Sequence, residues 1–239
     1  MVIPFRPRWF RGLAIAFVRA RQLPARYIYG MDEREEQRRR WADDARERFS
    51  ALYERFPGWE VGRPQPAIVA LHEAGDIGER VLDAGCGTGE NALFMAAHGH
   101  QVWGIDIVDA AIGAAAEKAR QRGLPAARFL VADALALDRL GLSFDTVVDS
   151  GLLHAMTDAE QRLYLGQVRA VLGPGGSFYA LCYSEHQPGA SGPRRVRESE
   201  LEALFASGWS GLTIVETRFV VSFSDREAAA YLVGARRCP

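Results

Sequence analysis

Apolar and polar positions change rhythm along this chain. In "RRRWADDARERFSALYERF", residues 38–56, Trp41, Ala45, Phe49, Leu52, Tyr53 and Phe56 recur at helical spacing on an otherwise charged segment. That pattern predicts an amphipathic helix whose single apolar stripe must dock on something, ended by Pro57-Gly58. Further on, short apolar runs alternate with helical segments. "RVLDAG", "QVWGIDI", "ARFLVADA", "FDTVVDS" and "SFYALCY" read as buried strands, and "NALFMAAHG", "AAIGAAAEKARQRG", "EQRLYLGQVRAVL" and "ESELEALFASG" as helices, the second closed by Gly123 and the third by "GPGG". The tail supplies two more strands, "GLTIVETRFVVSF" and "AAAYLVGARR", with no room for a helix between them. The alternation predicts an α/β, Rossmann-like, doubly wound sheet of seven strands, mostly parallel, with one antiparallel strand near the C-terminus.

Two regions stand apart from that alternation. Residues 1–31 carry six arginines and no acid around the apolar run "GLAIAFV", which is too short to span a bilayer. These flanks leave open an arm packed on the domain, an extension ahead of a start at Met31, a targeting peptide, or a helix contacting a membrane surface. The stretch "PGWEVGRPQPAIVAL", residues 57–71, is either a linker or a lid: Pro64 and Pro66 would stiffen it and "AIVAL" would begin the next helix. The division expected is an N-terminal arm and amphipathic helix over 1–56 and the main domain over 57–239.

Composition narrows the classes of function. A chain of 239 residues suits one large domain, and a net charge of -1 gives no support to nucleic-acid binding. Its three cysteines, Cys86, Cys182 and Cys238, form neither a disulfide framework nor a zinc pattern, so a reducing cytoplasm is expected. His72, His98 and His100 lack ligand spacing, and no metal site is expected. Lys118, the only lysine, is read as compositional bias.

Ligands of doubly wound sheets bind outside the carboxyl ends of the strands, so the first strand should deliver the chemistry. It ends in "VLDAGCGTGEN", where Gly85, Gly87 and Gly89 let the backbone bend tightly and approach a ligand, and the next helix offers free amides. Asp83, Asp106 and Asp133 then close three successive strands at one sheet edge. Each alone is explicable as a helix cap, but the three together are not.

In order and spacing, "VLDAGCGTGEN", "GIDI", "VADA" and "FDTVVDS" resemble the successive motifs of class I S-adenosylmethionine-dependent methyltransferases, over roughly residues 57–239. The resemblance implies S-adenosylmethionine as cofactor and S-adenosylhomocysteine as product. Gly85, Gly87 and Asp83 would then serve the methionyl end, Asp106 with Ile107 the ribose, Asp133 with the Ala134 amide the adenine, and Ser150 and Gly151 the ammonium through backbone carbonyls. Cys86 would be a small buried residue rather than a nucleophile. A nicotinamide oxidoreductase would share the sheet but carries G-x-G-x-x-G near its start, and a phosphate-binding hydrolase would need G-K-[ST].

"WEVGRPQPAIVAL" and "FDTVVDSGLLHAM" look like the branch that methylates thiols, halides, thiopurines and bacterial heterocyclic toxins, which implies a small-molecule acceptor. His154 is the candidate general base, Trp59 the residue expected beside the sulfonium, and Tyr183, Glu185 and His186 further candidates for the acceptor pocket, in a segment that equally resembles an exposed loop. A non-catalytic cofactor-binding module with the same fold is the alternative.

Overall fold

The computed structural model describes residues 33–55, 57–190, 192–222 and 227–239. The expectations for residues 1–31 and for Phe56 lie outside the described residues. Gln37–Pro239 is one compact unit, so the greater part of the amphipathic helix, α1 (Glu33–Tyr53), belongs with the sheet, and the unit begins well ahead of residue 57. The apolar stripe accounts for this. Trp41 and Ala45 are buried and Phe49 and Tyr53 half-buried against the core, while Leu52 keeps 37% of its surface exposed.

After α2 (Pro66–Glu73), strands and helices alternate as β1 (Arg80–Ala84), α3 (Glu90–Ala97), β2 (Gln101–Asp106), α4 (Asp109–Gln121), β3 (Ala127–Val131), β4 (Phe144–Ser150), α5 (Asp158–Val171), β5 (Leu172–Tyr183), α6 (Glu198–Phe205), β6 (Trp209–Phe219) and β7 (Ala228–Arg237). The seven strands form one sheet in the order β3-β2-β1-β4-β5-β7-β6. Only β7 runs against its neighbours, pairing antiparallel with both β5 and β6, as the helix-free tail requires. One face is covered by α1, α5, α6 and a 3-10 segment, Ala134–Leu140, the other by α2 and α3. Val81, Leu82 and Ala84 of β1 are wholly buried between these layers, and a side chain the size of Val or Leu gains about 1.5–3 kcal/mol there.

Two boundaries differ from the sequence expectation. β3 stops at Val131, so Asp133 lies beyond the strand, where its Oδ1 accepts the Leu135 amide at 2.8 Å and caps the 3-10 segment. β5 begins at Leu172 and takes in the "GPGG" expected to be a turn, with a register shift against β4 between Phe144 and Thr146. Gly104, in the middle of β2, is required by packing, since a Cβ there would fall 2.6 Å from the Phe129 ring.

Strand order reverses at β1 and β4, which places the crevice of such sheets at their carboxyl ends. At the opposite end of the sheet the scattered histidines meet, His72 Nδ1 lying 2.9 Å from His100 Nε2 with the His98 ring 4.7 Å from that of His72. Among the described residues, no group of His, Cys, Asp and Glu is arranged to hold a metal ion, and no helix is long and apolar enough to cross a membrane.

Candidate functional site

The turn after β1 is built on left-handed backbone, with φ of 71° at Gly85, 56° at Gly87 and 87° at Gly89. Glycine adopts such angles without steric cost. The turn is held by its neighbour strand: the Cys86 amide donates to Ile105 O at 2.8 Å, and the Gly87 amide to Asp106 Oδ2 at 3.0 Å. Asp106 Oδ1 accepts the Val108 amide at 2.9 Å, so each carboxylate oxygen keeps acceptor capacity for a ligand. Burial raises the Asp106 carboxyl, and the Val108, Gly87 and Ile107 amides offset part of that. Burial, with the Asp83 and Asp106 charges added, holds the Cys86 thiol far above its usual range, which leaves it no nucleophilic character.

Lys118 has a structural job here that composition concealed. Its Nζ donates to Thr88 Oγ1 at 2.6 Å and Glu90 Oε1 at 2.8 Å, bracing the turn from α4. Arg122 grips the same carboxylate with two bonds, at 2.9 and 3.0 Å. Burial alone would raise Glu90, yet the Arg122 and Lys118 hydrogen bonds prevail and hold it below the usual carboxylate value.

A second layer comes down on the turn from the segment after α1. Glu60 accepts from the Thr88 hydroxyl, and the Trp59 Nε1 donates to the Tyr53 hydroxyl at 3.4 Å. That hydroxyl sits 2.8 Å from where a Gly87 Cβ would be. Trp59 meets Phe49 and Tyr53 edge-on, with ring centroids 6.1 and 5.9 Å apart. Gln65, inside "RPQP", pins the segment to the end of the sheet: its amide donates to Val220 O at 3.0 Å and accepts the Val220 amide at 2.9 Å. Nearby, the Ser222 amide donates to Gly58 O at 2.7 Å. These bonds make the 57–71 stretch a fixed cover over the glycine turn.

Beneath the cover lies a buried pair of acids. Asp83 and Asp149, on the paired strands β1 and β4, are 1% and 0% exposed. Asp149 Oδ1 accepts the amides of Leu152 at 2.8 Å and Leu153 at 3.3 Å, while both oxygens of Asp83 have no partner among the described residues. The Tyr164 hydroxyl faces Asp149 Oδ2 without reaching hydrogen-bond geometry. Burial raises both carboxyls to about 7, helped at Asp83 by the charge of Asp149.

The far side of the crevice starts at the short 3-10 turn Leu153–Ala155, which carries His154. A capping box at Thr157 and Glu160 begins α5 directly afterwards, and Gln161 Nε2 donates to Leu153 O at 2.9 Å, so the turn is clamped from both ends. His154 is 6% exposed, and its Nδ1 accepts the Tyr183 backbone amide at 2.9 Å. Burial, then the Arg195 charge, lowers the imidazole to about 3. Tyr183 and Phe219 flank the ring at 5.1 and 6.1 Å. The segment that resembled an exposed loop is tied down by Arg195, whose guanidinium donates to Gln187 O at 3.4 Å, Pro188 O at 3.3 Å, Gly189 O at 3.0 Å and Pro193 O, and lies 5.7 Å over the Tyr183 ring.

One cavity of about 1600 Å³ joins these parts. Trp59, Gly85, Asp106, Ile107, Ala134, Ser150, Gly151 and His154 line it, as do Tyr183 and His186. Gly87 lines a small adjoining cleft with Glu60 and Arg63. Asp83, Asp133 and Glu185 line neither: Asp83 lies underneath, Asp133 caps its own 3-10 segment, and Glu185 Oε1 accepts the Glu198 amide at 3.0 Å. Sequence reading missed Tyr53, Glu60, Gln65 and Arg195 as parts of the site. The helical stripe was a signal for Tyr53 alone.

Residues 81–176 match the methyltransferase domain family. The 2-heptyl-1-hydroxyquinolin-4(1H)-one methyltransferase of Mycobacteroides abscessus is 35% identical over 156 residues, 64% of this chain and 69% of that protein. This chain belongs to the class I S-adenosylmethionine-dependent methyltransferases. Two solved structures resemble this methyltransferase along most of its length. One, from work on the conversion of a disulfide bond into a thioacetal group during echinomycin biosynthesis, has a TM-score of 0.67 and 36% identity, over 76% of this chain and 84% of that one. The other is the Burkholderia thailandensis 1,6-didemethyltoxoflavin-N1-methyltransferase with bound 1,6-didemethyltoxoflavin and S-adenosylhomocysteine, at a TM-score of 0.66 and 25% identity, over 84% and 90% of the two chains.

The methyltransferase's own residues fit S-adenosylmethionine. Asp106 keeps acceptor capacity at the cavity wall, and Trp59, Tyr53 and Phe49 present aromatic surface suited to a sulfonium cation.

Proposed function

We propose that this methyltransferase transfers the methyl group of S-adenosylmethionine to an oxygen, sulfur or nitrogen atom of a small molecule. The observation that carries this reading is the cavity. A pocket for one drug-sized ligand measures about 300–1,000 Å³. The 1600 Å³ found here accommodates a cofactor and a second small molecule side by side. Relatives that act on a hydroxyquinolone and on a didemethylated toxoflavin support a planar heterocycle as acceptor, and the thioacetal-forming relative supports sulfur chemistry.

In this reading Asp106, with Ile107 beside it, takes the ribose hydroxyls. Ala134 takes the adenine from the cavity wall, while Asp133 caps the 3-10 segment that positions it. Gly85 and Gly87 admit the methionyl end, and Ser150 and Gly151 offer backbone carbonyls to its ammonium. When bound, the cofactor supplies an activated methyl: the acceptor's electron pair forms the bond to carbon, while the pair of the broken carbon–sulfur bond stays with sulfur. The protein aligns the acceptor and keeps water out with Trp59, Leu152, Met156, Tyr183 and Phe219. Such positioning contributes about 7–11 kcal/mol of barrier lowering. We place the protein in the cytoplasm on its three free cysteines, and give it no nucleic-acid partner on its net charge of -1.

A radiolabelled methyl-transfer screen over thiols, phenols, hydroxyquinolones and other heterocycles tests the proposal, with S-adenosylhomocysteine binding measured calorimetrically alongside. Turnover of at least one class is expected. Tight S-adenosylhomocysteine binding with no turnover of any acceptor would make the chain a cofactor-binding module instead.

A further inference from the structure

We infer that His154 is a fixed hydrogen-bond donor to the acceptor rather than a general base, and that the acceptors taken are those already ionised at the nucleophilic atom: N-hydroxy oxyanions, acidic phenolates and thiolates. The inference rests on the methyl-transfer reading above and adds the protonation state of its second substrate.

The geometry turns on one backbone amide. Tyr183 N–H points at His154 Nδ1 at 2.9 Å, and a backbone N–H can only donate. The Nδ1 lone pair is therefore taken, and the single proton of the neutral ring resides on Nε2. To act as a base the ring must end with protons on both nitrogens. A proton on Nδ1 would face the Tyr183 N–H head-on and leave that buried amide without its acceptor. Rotation away is blocked, because the Leu153–Ala155 turn is held by Asp149 through the Leu152 and Leu153 amides, and the ring sits between Tyr183 and Phe219. Nε2 lies on the open side of the ring, 3.5 Å from where a Gly151 side chain would begin, and the absent Cβ leaves that space to the cavity.

The charged surroundings agree with an anionic partner. Beyond the ion pairs of Arg194 with Asp158 and Glu200, this side of the cavity carries Arg162, Arg195 and Arg218 against Glu227. Arg162 and Arg218 stand at the exposed rim, where an excess of cations draws in anions. Arg195 is the charged group acting on the imidazole, the Asp149 carboxylate below is engaged by two amides, and the neighbouring Tyr183 phenol is itself raised by burial. With burial and Arg195 holding the imidazole at about 3, it stays neutral across the physiological range. The acceptor's proton is thus lost to solvent on the way in, and none passes to the protein during methyl transfer.

Two substitutions separate donor from base. His154→Asn keeps an acceptor for the Tyr183 amide but withdraws the donor from the cavity, whereas His154→Gln keeps a donor at the Nε2 position. With ring-substituted 1-hydroxyquinolin-4-ones as probes, His154→Asn is expected to lose about 10–100-fold in kcat/KM, the scale of one hydrogen bond to a charged group, while His154→Gln stays within a few-fold. The acid limb of the wild-type pH profile should move with the pKa of each probe. Independently of turnover, nitrogen-15 NMR of the S-adenosylhomocysteine complex should show His154 protonated on Nε2 alone from pH 5 to 9. Equal loss in both variants with an acid limb fixed across the probes, or a ring that titrates or carries its proton on Nδ1, would overturn the donor assignment. Failure of the wild type to methylate any probe would instead count against the acceptor class, with the NMR result still deciding the tautomer.

Discussion

The proposed cofactor side and the proposed acceptor side of the cavity use the chain differently. On the cofactor side, the groups that matter sit at the ends of neighbouring strands, and the bond joining the glycine turn to Asp106 spans 19 residues. On the acceptor side, His154, Tyr183, Arg195 and Phe219 come from separate segments, and the cover over both sides is pinned by Gln65 to Val220 across 155 residues. Backbone geometry builds the first side, so a short motif suffices. Side chains meeting across the fold build the second, which can be refitted to a new acceptor while the sheet stays as it is.

The sharpest way to break this division is through the acids that underlie both sides. Asp83 lies buried under the glycine turn, and Asp149 holds the turn bearing His154 through the Leu152 and Leu153 amides. Their folded carboxyls stand at about 7, above an unfolded value of about 4, so the native state retains protons that the unfolded chain releases. That stability is fully present below about pH 4 and is lost as pH rises through about 7, with an upper bound of about 4 kcal/mol for one carboxyl. Denaturant melts of the protein without cofactor should therefore weaken from pH 5 to 8, and Asp149→Asn should flatten the trend. An unchanged slope in the variant would show that the pair does not titrate as described.

Next in size, Asp106→Ala should cost about 100-fold in S-adenosylhomocysteine affinity by calorimetry, because it removes a charged acceptor and frees the turn. If the sides are separable, acceptor specificity among the turnover products will not change. Gly87→Ala forces φ of 56° on alanine and a clash with the Tyr53 hydroxyl, an expected loss of about 1–3 kcal/mol in thermal stability. Trp59→Ala should weaken S-adenosylmethionine binding by about 0.5–2 kcal/mol, and S-adenosylhomocysteine binding less, since only the former carries the cation. Equal losses for both would make Trp59 an apolar plug. Smallest, Lys118→Met should lower stability by about 1 kcal/mol through the lost Glu90 and Thr88 bonds, measured by denaturation at low salt.

Much of the fold was legible for a physical reason. Strand and helix periods are local, and the helix-free tail allowed only a hairpin, which the antiparallel β7 supplies. Asp106 and the three glycines were legible because turn and strand-end roles depend on near neighbours. Asp83 misled: it shares a strand end with the glycine turn, but pairing with Gly104 sets it two residues deeper than Asp106, and it is buried. Lys118 was invisible because its partners Thr88 and Glu90 lie 30 and 28 residues away and only folding brings them near. Arg195 was missed although its hydrogen-bond partners lie within eight residues, because they are backbone carbonyls, which leave no residue-type signal. His154 was correctly placed on the cavity wall, but its proton depends on the amide of a residue 29 positions away.

By itself the sequence determined the doubly wound sheet, the glycine turn and the acid that closes β2, because hydrophobic period and turn chemistry act over a few residues. Tertiary structure alone decided that the 57–71 stretch is a cover and which nitrogen of His154 carries the proton. Those outcomes rest on hydrogen bonds between distant segments, whose partners no local pattern specifies.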